Sequence, residues 1–357
     1  MPSGISARAP FGALLLGLLV AAPWGLATPP ELDVYDRSRT GSLPKGVTVS
    51  PDGATLYVTN YGQENRGNVG VYDAAALRRV GTVHLPGVAV ESAVAPDGRT
   101  LYVSNFRRNS VQFVDLATRR VRREARVGSH PKILVLSQDG RRLFAANWSS
   151  RSVTELDTAT GAVVRTLRAG TNPRGMALTR AGTLYVANFN DHSLDVFTGL
   201  DLSAHHRIAP VCHVPRHLCL SPDDSTLYLT CMSASELWLL DTATERVTRR
   251  VPVGRAPKAV DVTADGRWVV TADYGGSGLT LVDTTDWSAR TLDIPSLDHA
   301  SGVAVARAGA RFYVTGWYDN HVYAVGPTGA GPHLAITPAE RRRVLERRLY
   351  HALHPVE

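Results

Sequence analysis

Pro51-Asp52-Gly53-Ala54-Thr55-Leu56-Tyr57-Val58-Thr59-Asn60 is the stretch on which the fold turns. Asp-Gly stands between two apolar runs, Val47 to Val49 and Leu56 to Val58, and its second position tolerates positive φ, so the stretch reads as a β-hairpin. The signal returns as Pro96-Asp97-Gly98, Gln138-Asp139-Gly140, Arg180-Ala181-Gly182, Pro222-Asp223-Asp224, Ala264-Asp265-Gly266 and Arg307-Ala308-Gly309. Successive copies lie 45, 42, 42, 42, 42 and 43 residues apart, the period of four-strand propeller blades. A third strand in most copies ends in Asp, as in Val71-Tyr72-Asp73 or Glu155-Leu156-Asp157, where Asp opens a side-chain-capped turn. A fourth closes each blade, as at Val163 to Leu167.

The copies predict an all-β chain, a seven-bladed β-propeller. The seventh copy has three strands and finishes at His321 to Val325. Leu32-Asp33-Val34-Tyr35-Asp36, ahead of blade one, has strand character. We expect this N-terminal strand to close the last blade and remove the exposed edges of an open sheet. Beyond the ring, Gly326 to Gly331 reads as a linker and Thr337-Pro338-Ala339-Glu340 as a helix start, with N-cap, first-turn Pro and capping-box Glu. Val344, Leu345, Leu349, Ala352 and Leu353 then form an apolar stripe among Arg341, Arg342, Arg343, Arg347 and Arg348, predicting a short C-terminal helix. Such a helix can dock on the propeller or meet a protein partner or a membrane surface.

At the other end, Arg8, an apolar run from Phe11 to Ala22 and the small-x-small pattern Gly25-Leu26-Ala27 follow the grammar of a secretory signal peptide cleaved near Ala27. The expected organisation is therefore a signal peptide over 1–27, a propeller over 28–329, and a linker with amphipathic helix over 330–357. The apolar run is short for a bilayer span and none like it follows, so an integral membrane protein is not expected. The expected location is periplasmic or secreted. Cys212, Cys219 and Cys231 are the cysteines, and their odd number allows at most one internal bridge. Cys212 with Cys231 is the candidate disulfide, and Cys219, inside a strand, is expected to be a packing thiol. His213 and His217 stand close enough to these thiols for a copper or zinc site to be a competing reading.

The strand ending Tyr57-Val58-Thr59-Asn60 recurs as Tyr102-Val103-Ser104-Asn105, Tyr185-Val186-Ala187-Asn188 and, more loosely, Phe144-Ala145-Ala146-Asn147. These residues resemble the YVTN-repeat family and, over about 43 to 326, periplasmic propellers of the YncE type. Blades five to seven depart from the motif, with Tyr228-Leu229-Thr230-Cys231, Val270-Thr271-Ala272-Asp273 and Tyr313-Val314-Thr315-Gly316. The resemblance implies the seven-bladed fold, which hosts binding proteins, dehydrogenase subunits and lactonase-like enzymes, so function rests on the site.

Aligning the copies on the turn exposes two columns. Seven positions before it stand Lys45, Val90, Lys132, Arg174, Arg216, Lys258 and Ser301. After the Asn-like position stand Tyr61, Phe106, Trp148, Phe189, Met232, Tyr274 and Trp317. Cross-strand pairing puts both columns near one end of each blade. The facing residues of the first strand (Thr48, Ala93, Ala177, Cys219, Ala304) are small, as expected beside a crowded axis, so the columns should ring one mouth of the channel. Glu91 and Asp273 are the carboxylates expected to neutralise that mouth. Cations among ring faces suit an anion with a flat part, such as single-stranded nucleic acid or an acidic metabolite. Packing of the aromatics between blades is the competing reading.

His130 and His299 share a repeat position before the rim and read as surface polar residues. No catalytic residue, cofactor or metal is expected, and no nucleophile elbow, zinc helix or phosphate-binding glycine loop occurs. The formal charge of +7 favours anionic partners. The leading expectation is an exported, monomeric, non-catalytic binding or scaffold propeller holding an anionic ligand, and open to a protein partner through a propeller face or the C-terminal helix. The alternative is a lactonase-like hydrolase or a subunit of an exported redox system.

Overall fold

The turns of blades one, two, three, five and six build their hairpins with the same bonds. At the first, Ser50 N–H donates to the Thr55 carbonyl (2.8 Å), Asp52 Oδ1 accepts Ala54 N–H (3.0 Å), and Gly53 sits at φ 75°. A β-carbon there would be strained, which is why glycine recurs at this place. The computed structural model describes residues 31–199, 201–306, 311–328, 334, 335 and 337–353, with side chains to 350. The signal peptide, Ala27, the seventh turn at Arg307-Ala308-Gly309, the end of the linker and the Ala352 and Leu353 side chains lie outside the described residues.

Seven four-stranded antiparallel sheets form the ring. The first strand of each is innermost: Pro44–Val49, Ala89–Val94, Pro131–Leu136, Pro173–Leu178, Pro215–Leu220, Pro257–Val262 and Ala300–Val305. Each inner strand touches the next around the whole circle. Between blades, alternating faces bury the apolar residues. Trp268, Tyr72, Phe113 and Phe144 are fully enclosed, each contributing about 1.5–3 kcal/mol by burial.

Leu32–Arg39 completes blade seven, antiparallel to His321–Pro327, with Val34 opposite Val325 and Arg37 opposite Tyr323. Leu32 and Val34 thereby join the core of blades six and seven beside Trp268, Phe312 and Tyr323. The third strand of blade seven thus runs two residues beyond the Val325 expected, through Gly326 into Pro327.

The helix Pro338–Leu353 begins at the expected capping box: Glu340 N–H donates to Thr337 Oγ1 (3.3 Å), and Thr337 N–H to Glu340 Oε2 (3.1 Å). Glu340 also pairs with Arg37, Arg347 donates to the Tyr318 carbonyl (3.0 Å), and Arg348 to the Leu297 carbonyl (2.7 Å). Polar anchors thus dock the helix on blade seven. Among the described side chains of the apolar stripe only Val344 is buried, while Leu345 and Leu349 are exposed. No helix among the described residues is long and apolar enough to cross a membrane.

Candidate functional site

Every inner strand carries a β-bulge near its start. In blade one Pro44 pairs with Asn60 and Val47 with Val58, so Lys45 and Gly46 together face Thr59. The extra residue is accommodated by Thr59 Oγ1, which accepts Gly46 N–H at 2.9 Å. Blades two, five and seven repeat the device with Ser104, Thr230 and Thr315. A bulge re-aims the side chain it carries. Lys45, Arg174 and Lys258 line the central cavity at 6, 6 and 7 % exposure.

The aromatic column is fixed from the other strand. Tyr61, Trp148 and Trp317 donate their N–H groups to the carbonyls of Leu43, His130 and His299 (3.0, 3.2 and 2.9 Å), residues held at φ 50°, 56° and 61°. The rings then meet one another: Phe106 edge-on to Tyr61 and Tyr61 tilted against Trp317, both at 5.8 Å, and Trp148 tilted against Phe189 at 5.2 Å. Cations bridge the remaining gaps. The Lys132 ammonium lies 5.5 Å from Phe106 and 3.8 Å from Trp148, and that of Lys258 lies 3.9 Å from Tyr274 and 4.4 Å from Trp317. Arg174 faces Trp148, Lys45 faces Tyr61, and Arg216 lies against Phe189 while donating to Met232 Sδ at 3.1 Å. Both columns therefore meet at one end of the ring, but as a buried cation belt under an aromatic collar rather than an open basic surface. The collar rings pack against the belt and against one another, and none lines the cavity.

That cavity, about 540 Å³, starts at Lys45, Glu91, Arg174 and Lys258 and follows the inner strands to Val49, Ala264 and Ala306 beside the turns. Ala264 is exposed, so the turn face is the open end.

Blade two, which lacks a cation in the column, supplies the belt's carboxylate. Glu91 Oε2 fills the space that a β-carbon on Gly46 would take, next to Lys45. Burial raises its carboxyl, with Lys45 the strongest opposing influence. Burial, then the neighbouring Arg174, holds Lys45 well below an ordinary lysine, and the same causes push Lys132 down to about 4. Burial and Arg216 lower Lys258, and burial and Arg174 lower Arg216, while Arg174 is brought by burial to about 10. None of the five belt cations forms an ion pair among the described residues. On the blade flank, by contrast, Arg142 and Arg165 share Glu155 at 2.6 and 2.9 Å. Arg216 Nε, His217 Nδ1 and Trp317 Nε1 are buried without a hydrogen-bond partner. Such orphaned groups each cost about 1–3 kcal/mol, and two of the three are obligate donors.

Asp273 does not neutralise this mouth as expected. It accepts from Thr271 (2.8 Å) and Thr280 (2.7 Å) within blade six, because it occupies the inward Asn position of the repeat. His217, a candidate for the competing metal reading, lines the cavity, and burial then Arg174 lowers it to about 4. Cys219 also lines the cavity, its thiol 3.8 Å from Asp261 Oδ1. Asp261, raised by burial to about 6, is a channel group that the two columns did not reveal, since no other blade has an acid there. Cys212 and Cys231 form a disulfide of 2.03 Å at the edge of blade five. No three His, Cys, Asp or Glu side chains among the described residues are placed to hold a metal ion. His130 stacks on Phe106 at 4.3 Å and bonds Ser149, while His299 bonds Asp298 (2.7 Å) between Tyr274 and Tyr318. Both are spent as collar supports.

The closed ring of seven blades around one solvent-accessible channel defines a seven-bladed β-propeller. Residues 31–183 match the family described as YNCE-like beta-propeller. That match and the ring continuing over the remaining blades support a YncE-type propeller. Among solved structures it is similar to a chain of Kuenenia stuttgartiensis hydrazine synthase, at 19 % identity and a TM-score of 0.72, covering 82 % of this chain and 97 % of that one. At that identity the likeness concerns the fold. Comparison with curated proteins gave no match.

Proposed function

We propose that this chain is an exported binding protein that holds a compact anion in its central channel, entering from the turn face and resting on Lys45, Arg174 and Lys258. The observation that carries this reading is the belt itself: five cations around one carboxylate, packed where burial and mutual repulsion penalise their charge. An anion supplies the countercharge that Glu91 alone does not provide. The cavity volume favours a small acidic metabolite over a nucleic-acid strand. Engagement of the collar rings with each other and with the belt also speaks against base stacking on them. The disulfide and the signal-like N-terminal sequence suit an oxidising, extracytoplasmic location.

The test is calorimetric titration of the full chain with sulfate, phosphate, citrate and a single-stranded oligonucleotide. Small anions should bind saturably, and Arg174→Gln with Lys258→Met should weaken them by about 10- to 100-fold, or ~1.4–2.8 kcal/mol. Circular dichroism should show the fold retained. An oligonucleotide that binds more tightly than every small anion, and is insensitive to those substitutions, would overturn the reading.

A further inference from the structure

Lys45, Lys132 and Lys258 are the only lysines in this chain, whose other strongly basic side chains are all arginine. All three stand in the channel belt. The two remaining belt positions hold Arg174 and Arg216, so the column has room for a guanidinium. Lysine is therefore not there for size or for charge alone. What it adds is a primary amine that can lose its proton and attack an electrophile, which arginine in a protein does not do.

The lysines are not equivalent. Lys132 does not line the cavity, and its ammonium is seated on Trp148 at 3.8 Å. Lys258 does line it, but its amine is clasped between Tyr274 and Trp317 at 3.9 and 4.4 Å, which restricts its movement. Lys45 lines the cavity with the loosest ring contact, 5.3 Å from Tyr61. Beside it stands the belt's carboxyl, Glu91, seated against Gly46. An amine, a carboxyl able to carry a proton and two cations, Arg174 and Lys258, thus share one water-reachable space.

We propose that the anion of this channel is an oxo acid, and that Lys45 binds its carbonyl carbon as a reversible imine while Arg174 and Lys258 hold its carboxylate; this rests on the anion site proposed above. The Lys45 nitrogen lone pair forms the C–N bond as the carbonyl π pair moves to oxygen, and a proton passes from nitrogen to that oxygen through Glu91. Glu91 then protonates the hydroxyl, which leaves as water, and takes back the remaining nitrogen proton. One water is released per imine and no electrons change hands. Burial and Arg174, which hold the Lys45 amine well below an ordinary lysine, favour its neutral, nucleophilic form.

Glyoxylate with sodium cyanoborohydride, applied to the full chain at neutral pH and followed by peptide mass spectrometry, tests this directly. The imine is trapped as a carboxymethyl group, and Lys45 should be labelled roughly tenfold faster than the chain's own α-amine, which reports unselective reaction. Glu91→Gln should slow Lys45 labelling, and Lys45→Arg should remove it. Excess sulfate should slow it in the unaltered chain, a readout that needs no folded variant. Saturable quenching of tryptophan fluorescence by glyoxylate, with Lys45 labelled no faster than the α-amine, overturns the imine and leaves the anion site standing. Preferential labelling of Lys258 overturns the assignment to Lys45. If glyoxylate, sulfate and phosphate all fail to bind, both proposals fall.

Discussion

Asp273 fills the place that Asn60, Asn105, Asn147 and Asn188 hold in blades one to four. Asn147 there donates its Nδ2 to Thr154, seven residues on, as an asparagine at 273 would to Thr280. The buried Asp273 carboxyl is instead pushed up to about 7, chiefly by burial, against 3.8 for an exposed aspartate. The folded state therefore binds this proton more tightly than the unfolded one. Its contribution is complete below about pH 4 and is lost as the pH rises through about 7. Asp273→Asn should leave stability near pH 4 almost unchanged and raise it at pH 8 by on the order of 1–3 kcal/mol, measured by urea unfolding at both pH values. A loss at pH 8 would mean that Thr271 and Thr280 stabilise the carboxylate beyond its burial cost. The same position explains the disulfide. Asn60 accepts from Gly41, 19 residues earlier, and in blade five Cys231 bonds Cys212 across the same separation of 19. A covalent tie has replaced the polar one, so the pairing follows the repeat.

At the level of strands, spacing of the seven turn signals was enough to define seven hairpins and the missing strand of blade seven, because turn chemistry and strand period are local properties of sequence. The bulge was less legible. It is created by Pro44 pairing with Asn60 while Val47 pairs with Val58, and nothing in Lys45-Gly46 alone says which residue is extra. Without it, Lys45 is read as a rim charge; with it, the side chain goes into the channel and is buried. Glu91 has the same origin, one place later in the bulge of blade two. Closure by Leu32–Arg39 covers the edge that His321–Pro327 would otherwise present, and shields Tyr323 and Val325. A chain begun at Thr40 should expose that edge and pair with copies of itself. Light scattering after gel filtration should then find dimers or larger species at concentrations where the intact chain does not associate. An unassociated, fully folded shortened chain would show that the ring holds without its closing strand.

Across the whole molecule, the belt couples charge to proton uptake. Lys132, ordinarily at 10.5, is brought to about 4 by burial and by Arg174, Lys45 and Arg216, and His217 falls to about 4 beside the same arginines. Lys45 and Lys258 move in the same direction. A base whose folded value lies below its unfolded one binds fewer protons in the folded state, so the empty ring loses stability as the pH falls from about 10 towards 4. Asp273 and Asp261 are raised and act in the opposite sense, with Asp273 away in its blade and Asp261 further along the channel. An anion on the belt reverses the mutual repulsion of Lys45, Lys132, Arg174, Arg216 and Lys258, which makes protonation of the lysines easier. Protons and anion should therefore bind together. The rise in Tm produced by a fixed concentration of sulfate should be larger at pH 6 than at pH 9, and calorimetry at pH 8 should show proton uptake on binding, read from its dependence on buffer ionisation enthalpy. The Lys45→Met, Lys258→Met pair should flatten that dependence on pH while leaving the Asp273 transition in place. Equal sulfate stabilisation at both pH values would mean that the lysines are already charged in the empty channel, and that Glu91 alone balances them.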